Sequence, residues 1–161
     1  MRLIPYILYL FLISFHQTLL SDLTSIYGVS FNMTILIVSL IAIYKEESTA
    51  VWFALCAGIV GGTLLLGIMP WQMLTLGILA LLTSQLGKRI NLDSIASRMV
   101  LLGGVVLIYL LVMTFLISSE DFLFMILRTI LPGTIYTLLI GWLFFLVKDG
   151  HITWTKIKSL F

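Results

Sequence analysis

Apolar runs with little or no charge recur along the whole of this 161-residue chain. A helix rises 1.5 Å per residue, so about 20 such residues cross the roughly 30 Å of hydrocarbon in a bilayer. Six runs reach or approach that length: roughly 3–20, 27–44, 49–69, 71–87, 98–117 and 122–147. Six runs leave almost no chain from which to build a covering soluble layer. The sequence therefore predicts an all-α, polytopic membrane protein, with six transmembrane helices in one compact bundle, a single domain over 1–161. Composition points the same way, since 61% of residues are hydrophobic and 10% charged, against about a quarter charged in soluble domains.

The few charges set the orientation. Arg2, Lys45, Lys88, Arg89, Arg98, Lys148, Lys156 and Lys158 fall on one side if both termini share it, and the opposite turns, "SDLTSI", "IMPW" and "SSEDF", hold no Lys or Arg. Cytoplasmic loops carry that excess, so both termini are expected on the cytoplasmic side of the membrane. The first run follows Arg2 but has a long apolar part and no A-x-A-like cleavage site, so a retained helix is expected, with Pro5 in its first turn. "KRINLDSIASR" carries helix-start chemistry in Asp93 and Ser94. The tail, 148–161, reads as a short cytoplasmic or interfacial segment in which "HITWTKIKSLF" lies on the membrane surface or frays.

Small residues are the other regularity. Ala50, Ala54, Gly58 and Gly62 are spaced four apart, which places them along one helix face as a groove that Ala57 and Gly61 widen. Lipid tails remove most of the hydrophobic drive between helices, so close backbone approach across such grooves carries the packing. Gly77, Ala80, Ser84 and Gly87 repeat the device in the fourth run, Gly133, Thr137 and Gly141 in the sixth, and Gly103 with Gly104 more weakly in the fifth. Two uses are open: these grooves hold the chain's own bundle together, or one of them accepts a helix from a partner.

Chemistry is sparse. The seven carboxylates, Asp22, Glu46, Glu47, Asp93, Glu120, Asp121 and Asp149, lie at loops or span ends, whereas ion-coupled carriers place acids or histidines within the membrane. His16 and His151 are far apart; His16 reads as a polar residue near the outer end of the first helix. The lone Cys56 excludes an intrachain disulfide and a cysteine metal cluster. No G-x-S-x-G is present. Nine Lys and Arg spread over loops build no face for nucleic acid. The expectation is a protein without catalytic residues, cofactor or metal. Arg128, about 9 Å into the sixth run at the helical rise, either snorkels or pairs with Asp121 seven residues earlier, or else contacts a partner or an anionic solute. Pro132 and Gly133 mark a kink just beyond it. Pro70 and Trp71 mark an outer turn, and Trp52, Trp142 and Tyr44 suit the opposite aromatic belt.

On "ILIVSLIAIYKEESTAVWFALCAGIVGGTLLLGIMPWQMLTLGILALLTSQLGKRI", with the basic turn at Lys88 and Arg89, the chain resembles the MreD family of bacterial cell-shape and wall-elongation membrane proteins. The likeness lies in an apolar second span ending in a charged turn, a glycine-rich third span, an outer proline turn and a fourth span ending in basic residues. It implies a non-enzymatic scaffold that binds the transmembrane helix of MreC and, through it, connects MreB filaments to the glycan polymerase RodA and a penicillin-binding transpeptidase. The small-residue grooves are then candidates for the partner helix. A substrate-binding subunit of an energy-coupling-factor vitamin transporter is the alternative, with Asn32, Trp71, Gln72 and Arg128 as polar groups of an outward-facing pocket. Such subunits dock through small residues on the first helix, which here is Leu, Ile, Tyr and Phe all round.

Overall fold

In the computed structural model, the structure describes residues 3–21, 23–25, 29, 31–63, 66–90, 92–117 and 122–149. Six helices account for most of them: α1 (Ile4–Leu20), α2 (Met33–Tyr44), α3 (Glu47–Gly62), α4 (Met69–Arg89), α5 (Ile95–Ile117) and α6 (Phe122–Lys148). No β-strand forms among the described residues. The all-α class is as expected. By length and composition, α5 and α6 are able to cross a membrane, whereas α1, α2 and α3 are apolar but shorter.

Helix α2 is the hub. Every residue from Thr34 to Ala42 is buried, and α2 touches each of the other five helices. A helix apolar on all sides has no face to spare for solvent and belongs in the middle of a bundle. Its start differs from expectation. The sequence places it near residue 27, but the helix begins at Met33, because Asn32 takes an extended backbone and its Oδ1 accepts the Ile35 N–H at 3.2 Å. That cap satisfies an otherwise orphan donor and stops the helix from growing backward.

The third span is also corrected. It was expected over 49–69, yet α3 closes at Gly62, where two consecutive glycines with poor helix propensity lead into Thr63, whose hydroxyl bonds back to the Val60 carbonyl at 2.8 Å. The fourth span was expected over 71–87 and runs longer, from Met69 to Arg89, because Pro70 sits in its first turn, where a missing N–H is harmless. Pro70 thus opens α4 and is no part of the turn. Ser94 does start α5, its Oγ accepting the Ala96 N–H at 3.2 Å.

Two helices contain a wider π turn. In α6 it spans Ile126–Ile130, ending two residues before Pro132. Proline removes a hydrogen bond and its ring crowds the carbonyl four residues back, here Arg128, so a local change of helical pitch relieves the clash. In α1 it spans His16–Leu20, where Thr18 and Ser21 hydroxyls bond to the carbonyls of Ser14 and Gln17.

The outside of the bundle is oily on every flank but that of the buried α2. Leu3, Ile4, Leu8 and Phe11 on α1, Trp52 on α3, Leu74 and Ile78 on α4, Val100 and Phe115 on α5, and Leu123, Leu127 and Leu139 on α6 are all exposed, Trp52 at 71% and Val100 at 77%. Polar residues occupy the ends.

Candidate functional site

The small residues lie at helix crossings within the chain. Ala50, Ala54 and Ala57 are fully buried, and Gly58 and Gly62 with them. A Cβ added to Gly58 would lie 2.6 Å from Met73 Cα and 2.9 Å from Met73 N, and one on Gly62 would lie 2.8 Å from Met69 Cα. Those are backbone atoms of α4, so the glycines let two helix backbones touch. Gly61 faces the amides of Gln72 and Gln17, at 2.6 and 3.2 Å from its notional Cβ. Gly77 receives Leu55 of α3 at 3.1 Å, and Ala80 and Ser84 are buried on the same helix. In α6, Gly133, Thr137 and Gly141 are buried, Thr137 bonding to the Gly133 carbonyl and Gly141 pressed by Leu102 of α5. The α3 groove is thus filled by α4. Outside the turn that holds Gly67, a second described glycine has open space: a Cβ on Gly104, within α5, would meet nothing within 4 Å.

Toward the other end of the bundle, five helices deliver polar groups to one buried cluster. The Tyr109 hydroxyl of α5 hydrogen-bonds with the side chains of Asn32 at the start of α2 and Gln72 of α4. Gln17 of α1 donates its Nε2 to Thr34 Oγ1 at 3.2 Å, while its Oε1 is buried with no partner among the described residues. Asn32 also donates its backbone N–H to Thr137 Oγ1 at 3.2 Å. His16, 4% exposed, lies against Phe31 at 4.5 Å between ring centroids and 3.4 Å from Thr24 Oγ1. Phe31 in turn meets Tyr136, whose hydroxyl donates to the Thr24 carbonyl. His16 is therefore a packed interior group. Of these residues the sequence reading singled out only Asn32, Gln72, Thr137 and His16. The isolated polar residues Gln17, Thr34 and Tyr109 inside apolar runs were the available signal for the rest.

The basic residues gather at the end formed by the C-termini of α2, α4 and α6 and the N-termini of α3 and α5. Arg98 donates from Nη1 to Asp149 at 2.9 Å and to Tyr44 Oη at 3.2 Å, and from Nε to the Leu92 carbonyl at 2.6 Å. Lys148 lies over the Tyr44 ring. Lys88 pairs with Glu47 at 2.7 Å across α4 and α3. Beside Lys45 and Lys148 opens a lateral cleft of about 990 Å³ between α1 and α6, floored by Leu36, Ile37, Leu40 and Ile41 of α2. Alongside it, Tyr6 and Tyr9 of α1 pack on Phe53 of α3.

Arg128 is exposed in the α6 π turn with its guanidinium 5.5 Å from the Phe124 ring centre. Asp121, its expected partner, lies outside the described residues, as do Asp22, Glu120 and His151 and the tail from residue 150. Among the described residues no three His, Cys, Asp or Glu side chains converge. The arrangement packs helices, buries amides and hydroxyls, and holds cations at one end. No protein-family model, curated protein or solved structure matches the chain.

Proposed function

We propose that the chain is a multi-pass protein of the bacterial inner membrane, with six crossings and both termini cytoplasmic, serving as a non-enzymatic scaffold of the MreD kind in cell-shape control and peptidoglycan elongation. The observation that carries the membrane part is the exposed apolar side chains on α1, α3, α4, α5 and α6, combined with the basic residues at one end. Exposed apolar patches beyond a few hundred Å² mark a lipid or protein interface. Helix α2, 12 residues and about 18 Å long, is too short to span unaided. It is wrapped by its neighbours, and non-regular backbone beyond its ends is tolerated at membrane depth where protein covers it.

The scaffold reading rests on the resemblance to MreD, and the packing supports one exposed face over another as the seat of a partner helix. Gly58 and Gly62 are consumed by α4, so opening that crossing for another helix would sacrifice the bundle. Gly104 has open space above it, between the exposed Val100 and Ile108 on the same face of α5. That face offers backbone approach to the transmembrane helix of MreC, and through MreC to RodA, the transpeptidase and MreB filaments. Affinity purification from native membranes with identification of the associated proteins tests the reading: wall-elongation proteins support it, and their absence contradicts it.

A second reading has one specific observation in its favour. Asn32 and Gln72, candidates for the pocket of a vitamin-capturing subunit, do converge, on Tyr109. That reading requires a small molecule retained through purification and an associated ATPase module.

A further inference from the structure

We propose that the cleft between α1 and α6 is a binding site for a membrane lipid with an anionic phosphate headgroup, its acyl chains lying along α2 and its phosphate between Lys45 and Lys148. The proposal rests on the membrane reading above.

The cleft is amphipathic along its length. Met33, Leu36, Ile37, Leu40 and Ile41 form an apolar floor, and Tyr9, Leu12, Ile140 and Phe144 form the walls. Only at the basic end does the lining change, to Tyr44, Lys45, Thr49 and Lys148. Among the described residues neither lysine is in an ion pair: Glu47 is taken by Lys88, and Asp149 by Arg98. Glu46, next to Lys45, is exposed and outside the lining. Asp149 lies beside Lys148 in sequence, but Arg98 neutralises it, so the cleft mouth keeps an uncompensated positive charge. One oily channel ending in two cations is the complement of one molecule class, an acidic lipid in the cytoplasmic leaflet.

The surface of the cleft also decides against a helix as occupant. Helices in lipid associate where small residues let their backbones come close. Here the floor and walls are Leu, Ile, Met, Phe and Tyr, and no Gly, Ala or Ser lines the cleft. Among the described residues, the helix glycines lie at the α3–α4 and α5–α6 crossings or on other faces. A rough, branched surface suits flexible acyl chains, which conform to it. Exchanging one lipid for another moves no apolar area out of water, so chain contacts give little selectivity and the two lysines supply it, at about fivefold per cation near the surface.

The test is native mass spectrometry of the full chain in nanodiscs of phosphatidylcholine containing a minor fraction of phosphatidylglycerol. The expected result is a retained phosphatidylglycerol adduct, enriched over its share of the bilayer. Its enrichment should fall about 25-fold in the Lys45→Gln, Lys148→Gln double variant and stay unchanged in Lys88→Gln, with all three melting alike. Equal occupancy by both lipids, an adduct indifferent to the double variant, or a bound protein helix in place of lipid would overturn the proposal. Alkaline carbonate extraction of the native membranes separates this failure from that of the membrane reading: a chain released into the supernatant defeats the latter, whereas a retained chain without the adduct defeats only the lipid site.

Discussion

Gly58 of α3 lies so close to Met73 of α4 that a single added carbon would sit 2.6 Å from the Met73 Cα. Nothing flexible stands there to yield, because the obstacle is backbone. Gly58→Ala should therefore force the two helices apart and destabilise the fold by about 1–3 kcal/mol, the usual range for overpacking a tight contact. Gly58→Leu should prevent stable folding in detergent. Thermal melting in detergent checks both, and a Gly58→Ala variant that melts like the parent would refute the crossing.

Gly104 is the internal control for that prediction. Its notional Cβ meets nothing, so Gly104→Ala should be neutral or raise stability by up to about 1 kcal/mol through a stiffer unfolded chain and better helix propensity. Gly104→Leu should also melt normally while losing association with the partner helix. A Gly104→Leu protein that unfolds early would show that the α5 face is already covered.

Arg98 joins the end of α6 to α2 and to the loop before α5 through Asp149, Tyr44 and the Leu92 carbonyl. Its side chain is 14% exposed, and losing a charged donor from so many acceptors should cost about 1.5–3 kcal/mol. Arg98→Lys should recover only part of that, because a single ammonium does not reproduce the planar fork. The exposed Lys88–Glu47 pair should contribute nothing measurable. Melting temperatures of the variants in one buffer would reverse this account if Lys88→Gln proved the more damaging change.

Tyr109→Phe removes the hydroxyl that holds the amides of Asn32 and Gln72. Hydrogen bonds between membrane helices average about 0.6 kcal/mol and reach about 1.7, so a loss of roughly 1–2 kcal/mol for two bonds is expected in reversible unfolding. A neutral Tyr109→Phe would mean that the cluster is not a packing element. Arg128→Leu, by contrast, should leave both expression and association intact, since its guanidinium rests only over Phe124 among the described residues.

The helix count and the outer helices were legible because α1, α5 and α6 are long and mostly apolar runs. The boundaries of α2 and α3 were not, since they depend on one Asn32 side chain and on the Gly61–Gly62–Thr63 sequence, local chemistry that hydropathy averages away. Four-residue spacing revealed a smooth face on α3, but no periodicity names the helix that will cover it. The polar cluster was hidden for a further reason: Gln17, Asn32, Thr34, Gln72 and Tyr109 come from four helices, each contributing one or two residues, and only the fold brings them together.

Whether the Gly104 face of α5 seats a partner helix can be read from a photo-crosslinking residue placed at Ile108, one turn beyond Gly104, in living bacteria. A crosslink to MreC that disappears when Gly104→Leu is added is expected, and none from an equivalent probe at Leu8 of α1. A crosslink to MreC from Leu8 alone, or none from either position in a wild-type background, would contradict it.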